Sequence, residues 1–118
     1  MKVIADGGAA TKNVASNTMD AIILGLKAPY IDGFKFKLYL TKDNEIITLS
    51  DRIVNFFTKD LNNINDFTLK EFLYFNVGSK VQKQQILTLK DILGIFQNKN
   101  KYLILELANQ NSKNALFT

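Results

Sequence analysis

Polar and apolar positions alternate from residue 34 to residue 40, with Phe34, Phe36, Leu38 and Leu40 on one side and Lys35, Lys37 and Tyr39 on the other. A period of two predicts a β-strand with one apolar and one basic face. The polar group Thr41-Lys42-Asp43-Asn44 then turns the chain, and Ile46-Ile47-Thr48-Leu49 predicts the next strand. A parallel neighbour needs a crossover of about a dozen residues or more, so this short connection predicts an antiparallel hairpin. Upstream, Val3-Ile4-Ala5 predicts a short buried strand, followed by Gly7-Gly8-Ala9-Ala10 and a polar loop. Met19, Ile22, Ile23 and Leu26 recur at helical spacing and predict a helix over residues 18–26 with that face inward. Ser16 or Asn17 is placed to cap it, and Asp20 sits where a helix N-terminus favours a carboxylate.

Downstream, two capping boxes, Thr68-Leu69-Lys70-Glu71 and Thr88-Leu89-Lys90-Asp91, open two further helices. Their apolar positions are Leu69, Phe72 and Leu73 in the first, and Leu89, Ile92, Leu93 and Phe96 in the second. Residues 102–107 form a continuous apolar run broken only by Glu106, and a carboxylate in a buried strand requires a partner. Residues 109–118 are polar and fit a loop or the start of another helix. Strands alternating with helices predict an α/β domain with about three parallel strands.

Composition narrows the chemistry. The sequence has no Cys, which excludes disulfides and thiolate sites, and no His, which removes the side chain that titrates nearest neutrality. The net charge of +4 rests on fourteen Lys and one Arg, Arg52, scattered along the chain. Nucleic-acid binding, which favours clustered basic residues and Arg forks, is therefore not expected. At Met1-Lys2-Val3-Ile4-Ala5-Asp6, charges crowd the apolar residues, so a signal-peptide core of about 7–15 apolar residues does not form there. No stretch approaches the roughly 20 apolar residues of a membrane span, and a cytoplasmic protein is expected.

The ordered pieces Ile4-Ala5-Asp6-Gly7-Gly8-Ala9, Ser16-Asn17-Thr18, Leu40-Thr41-Lys42-Asp43, Ser50-Asp51, Thr88-Leu89 and Ile104-Leu105-Glu106-Leu107 resemble the N-terminal half of glycerophosphodiester phosphodiesterases. In that family they read Ala-His-Arg-Gly-Ala, Pro-Glu-Asn-Thr, Glu-x-Asp followed by Leu-Thr-Lys-Asp, His-Asp, Pro-Thr-Leu, and a late Glu on a strand. The resemblance implies residues 1–118 as one partial domain: the N-terminal part of a TIM-type (β/α) barrel, with an antiparallel hairpin after the second strand. A complete barrel takes roughly 250 residues, so 118 supply less than half.

The family resembled hydrolyses phosphodiesters in glycerophospholipid and glycerol metabolism, with two His as acid and base, an Arg on the phosphate, and Glu and Asp on a divalent cation such as Ca²⁺ or Mg²⁺. Its first His falls on Asp6, its Arg on Gly7, and its second His on Ser50, beside Asp51. The Glu before Asn17 and Thr18 falls on Ser16, the Glu-x-Asp carboxylates on Lys35 and Lys37, and a Lys that commonly follows the late Glu on Ala108. Glu106 is the metal ligand retained.

The resemblance therefore implies a catalytically inactive member without a bound cation. Two ammonium groups repel a metal; at about 4 Å and an effective dielectric near 20, each unit charge costs on the order of 4 kcal/mol. On the alternation alone, Lys35 and Lys37 are a solvated strand face; on the resemblance, they look into the barrel mouth. There, Asp6, Lys35, Lys37 and Glu106 either neutralise one another as a structural plug, or the two lysines hold a phosphate or glycerophosphate anion without cleaving it. An interaction or regulatory subunit completed by another chain or by a missing C-terminal half is the alternative, since a partial barrel leaves strand edges open. Asp6, Asp51 and Glu106 acting as an atypical hydrolytic site is a third.

Overall fold

A computed structural model describes residues 2–8, 17–78 and 83–108. The chain runs β1 (Ile4–Asp6), α1 (Met19–Leu26), β2 (Gly33–Leu40), β3 (Ile46–Thr48), α2 (Asp51–Thr58), a 3₁₀ turn (Ile64–Asp66), α3 (Leu69–Tyr74), β4 (Leu87–Thr88), α4 (Leu89–Phe96) and β5 (Tyr102–Leu107). β2 organises the sheet. One of its edges pairs in parallel with β1, with Asp6 opposite Lys35, and further along pairs antiparallel with β3, with Leu40 opposite Ile46. β5 pairs with β2 in parallel from Gly33↔Tyr102 to Leu38↔Leu107. β1, β2 and β5 are thus the three parallel strands of a barrel arc, and the predicted hairpin is present.

The hairpin closes through its own polar residues. Thr41 donates its hydroxyl to Asp43 Oδ1 at 2.6 Å and accepts from the Glu45 amide at 2.9 Å, while Asn44 takes a left-handed φ of 64°. Short polar side chains that satisfy the local backbone are what such a turn requires. Asp43 also accepts from the Leu69 amide at 3.0 Å, tying the turn to the start of α3. The Thr41 hydroxyl and the Leu69 amide hold the Asp43 carboxyl below the usual carboxylate range.

Alternation along β2 separates two cores. Phe34 and Phe36 pack with Ile22 of α1 and with Ile92 and Phe96 of α4. Each fully buried side chain of this kind contributes about 1.5–3 kcal/mol. Tyr39 packs on the opposite face with Ile47, Ile53, Ile64 and Phe72, beneath α2, the 3₁₀ turn and α3. Both predicted capping boxes form, with Glu71 accepting from the Thr68 amide and Asp91 from the Thr88 amide, each at 3.0 Å.

Several expectations change. α1 is capped by Thr18, whose hydroxyl accepts from the Ala21 amide, and Asn17 stands outside the helix; Ser16 lies outside the described residues. α1 buries Ala21, Ile22 and Gly25, leaving Met19 and Ile23 exposed. The cause is the approach of Gly8, where a Cβ would lie 2.7 Å from the Ala21 carbonyl, so the small-residue side of the helix turns inward. α2 and β4 were not legible. α2 carries Ile53, Val54, Phe56 and Phe57, types with little intrinsic helix preference, and forms because Ser50 caps it and Ile53 is buried. β4 is only two residues long and runs directly into α4. β5 is not a buried strand: Tyr102 and all residues from 104 to 107 are exposed, because no described strand covers its outer edge. The loop or helix considered for residues 109–118 lies outside the described residues. No described helix is long and apolar enough to cross a membrane.

Gly8 combines this contact with a φ of 92°, a conformation open to Gly at no steric cost. Gly8→Ala is expected to lower unfolding free energy by about 1–3 kcal/mol, read from the urea midpoint at unchanged m-value.

Candidate active site

At the C-terminal ends of the parallel strands, where barrels of this type place their chemistry, lies an open pocket of about 340 Å³. Asp6, Asn17, Lys35, Lys37, Leu49, Ser50, Asp51 and Glu106 line it. All five residues singled out from the sequence (Asp6, Lys35, Lys37, Ser50 and Glu106) are therefore brought together by β1, β2, β5 and the start of α2.

Lys35 and Lys37 face the pocket because Phe34 and Phe36 occupy the opposite face of the strand. Register then decides the pairing: Lys37 stands opposite Glu106 and Lys35 opposite Ile104. The ion pair forms diagonally, with Lys35 Nζ 2.8 Å from Glu106 Oε2 and both side chains part-exposed. The hydrogen bond and charge of Lys35 hold the Glu106 carboxyl below its ordinary 4.5, and Lys37 adds to the effect. Glu106 reciprocally raises Lys35 above 10.5, with Asp6 contributing. Lys37 forms no ion pair among the described residues.

The walls are held by contacts the sequence did not reveal. Asn17, in a left-handed conformation with φ 61°, donates its side-chain amide to Thr48 Oγ1 at 2.6 Å, and its backbone amide donates to the Gly7 carbonyl at 2.7 Å. Thr48 in turn donates to the Lys37 carbonyl at 2.9 Å. Asn17 is thus a buried bracket between β1, β2 and β3, where capping of α1 had been its expected role. Gly7, φ 74°, donates its amide to the Lys35 carbonyl and offers the pocket no side chain. The Ser50 hydroxyl accepts from the Ile53 amide at 3.4 Å as the N-cap of α2. Arg52 reaches the Val77 carbonyl at 3.3 Å and does not line the pocket.

The Glu106 contribution to stability is present above its ordinary 4.5 and lost as pH falls through its lowered folded value; that of Lys35 is present below 10.5 and lost as pH rises through its raised value. The ion pair accordingly spans the whole neutral range. Lys35→Met is expected to return the Glu106 carboxyl toward 4.5, read as its carboxyl-carbon NMR titration, with little change in the folded spectrum elsewhere.

Comparison with known proteins agrees with this architecture. The chain is 32% identical over 87 residues to an uncharacterized protein of Mycoplasma genitalium, covering 70% of this chain and 36% of that one. A glycerophosphodiester phosphodiesterase from Agrobacterium tumefaciens superposes with TM-score 0.74 at 17% identity, over 91% of this chain and 47% of its own. A phosphodiesterase from Oleispira antarctica, solved in complex with the product sn-glycerol-3-phosphate, gives TM-score 0.74 at 22% identity, over 92% and 44%. The chain thus spans less than half the length of each of these relatives. The Glycerophosphoryl diester phosphodiesterase family model matches residues 8–116, and the chain belongs to that family.

Proposed function

We propose that this chain is a non-hydrolysing member of the glycerophosphodiester phosphodiesterase family, whose former reaction centre is held as a self-neutralising cluster of Asp6, Lys35, Lys37 and Glu106. The observation that carries this reading is the 2.8 Å ion pair between Lys35 and Glu106 inside the pocket. Glu106 stands at the one cation-ligand position of the family pattern that keeps a carboxylate, and an ammonium nitrogen lies where a cation would approach its oxygen. A second ammonium, Lys37, stands opposite it in the register.

The donor set does not fit a divalent cation. Among the described residues, no three carboxylate, imidazole or thiolate groups come together as a metal site. Asp6 and Ser50 stand at the family's acid and base positions. A serine hydroxyl committed to a helix cap, as at Ser50, is a poor proton shuttle near neutral pH. General acid–base catalysis contributes about 10²–10⁴ in rate, so its loss together with the cation's charge stabilisation supports an inactive protein. Its relation to glycerophospholipid metabolism and its cytoplasmic setting belong to this proposal as kinship, and an atypical hydrolase is the outcome that would replace it.

The space left beside Lys37 favours a second, weaker reading, in which phosphate or glycerophosphate is held without cleavage. Against it stand three lining carboxylates (Asp6, Asp51 and Glu106) facing two lysines. An anion entering the pocket would meet an excess of negative charge.

With glycerophosphocholine and added Mg²⁺ or Ca²⁺, no turnover above the uncatalysed rate is expected, and calorimetry with the same ions should show no saturable heat; metal-dependent turnover would sink the proposal. Phosphate titrated to millimolar concentrations is expected to leave the Lys35 and Lys37 side-chain resonances unmoved. A saturable shift at Lys37 would establish the anion-holding reading in its place.

A further inference from the structure

Next to the pocket of the former reaction centre lies a second cavity of about 350 Å³, and Lys37 and Asp51 line both. Its other walls include Tyr39 from β2, Val54 from α2, Ile64 from the 3₁₀ turn and Ala108 just beyond β5. Small-molecule sites begin at about this size. Tyr39 is the residue that points to a ligand. Its side chain is 5% exposed, with the ring packed in the core beside Ile64 and Phe72. Its hydroxyl makes no hydrogen bond among the described residues, yet no side-chain oxygen or nitrogen described there is sealed away unpartnered, so this hydroxyl opens on the cavity. A phenol so placed takes its partner from whatever fills the space. Burial, and after it the charges of Asp51 and Glu106, push the Tyr39 hydroxyl up to about 12, so it keeps its proton at neutral pH and donates.

The charged walls are also left open. Lys37 and Asp51 carry opposite charges into one cavity, but no ion pair joins them, and neither makes one with another described residue. The cavity therefore offers two donors, Lys37 and Tyr39, one carboxylate acceptor, Asp51, and an apolar wall of Val54, Ile64 and Ala108. Its two formal charges cancel, whereas carboxylates outnumber lysines in the first pocket. A simple anion would leave Asp51 unanswered and a simple cation would leave Lys37 so; a zwitterion answers both.

We propose that this cavity binds a free α-amino acid with an aliphatic side chain. Its carboxylate accepts from the Lys37 ammonium and the Tyr39 hydroxyl, its ammonium meets Asp51, and its side chain lies against Val54, Ile64 and Ala108. Lys37 belongs to the cluster of the first pocket through its charge and has no ion pair there, so binding an amino acid leaves the Lys35–Glu106 bridge in place.

The test is a titration of the full chain with leucine, followed by NMR at the Tyr39 ring and the Lys37 side chain, beside parallel titrations with 4-methylpentanoate, 3-methylbutylamine and glycerol. The expected result is a saturable shift at both residues with leucine at millimolar concentration, and binding at least about tenfold weaker for each of the three controls, which lack one or both charges. Tyr39→Phe keeps the ring in the core and removes only the hydroxyl, so it is expected to weaken leucine binding by about fivefold or more with the circular dichroism unchanged. Asp51→Asn is expected to weaken leucine binding and leave that of 4-methylpentanoate unaltered. No saturable shift with leucine, which would mean water alone in the cavity, would overturn the proposal, as would glycerol or a singly charged control binding as tightly as leucine, or leucine binding that neither substitution weakens. These readouts involve neither turnover nor metal, so failure here is distinct from failure of the inactive-site reading.

Discussion

Everything in this molecule depends on the two-sidedness of β2. Its eight residues hydrogen-bond to β1, β3 and β5, and its faces direct phenylalanines into one core and lysines into the pocket. A slip of one residue in its register would bury ammonium groups against α4 and expose Phe34 and Phe36, a cost of several kcal/mol per buried charge. Site and fold are therefore specified by the same strand, and the pocket is where β2 places whatever its core cannot accept.

This coupling explains which features were legible in the sequence. Strict alternation identified β2, the short Thr41–Asn44 connection identified the hairpin, and two threonine capping boxes located α3 and α4. The pocket-lining residues Asp6, Lys35, Lys37, Ser50 and Glu106 were singled out by their order along the chain, since their chemistry alone says little: a lysine face on a strand looks the same in solvent and in a barrel mouth. Features set by tertiary contact were not legible. α2 has the composition of a strand and is made helical by the Ser50 cap and the core beneath it, and the inward face of α1 is chosen by the backbone of Gly8 and not by the larger apolar residues. Asn17 could be read as a cap, but its left-handed backbone and its bond to Thr48, 31 residues away, exist only in the folded chain.

The Lys35–Glu106 pair belongs to the pocket more than to the fold. Exposed ion pairs contribute little to stability, so the fold is not held by this bridge. What the pair does is satisfy Glu106, a carboxylate on a strand that otherwise presents apolar side chains.

The Asn17–Thr48–Lys37 bracket has a consequence for what can be rebuilt. It works entirely through a backbone carbonyl, a hydroxyl and an amide, and none of the five charged side chains that line the pocket belongs to it. The pocket is thus an interchangeable cassette on an unaltered frame. A change among the charged side chains alters the lining and charge of the pocket while leaving the hydrogen bonds that tie Asn17, Thr48 and the Lys37 backbone together untouched.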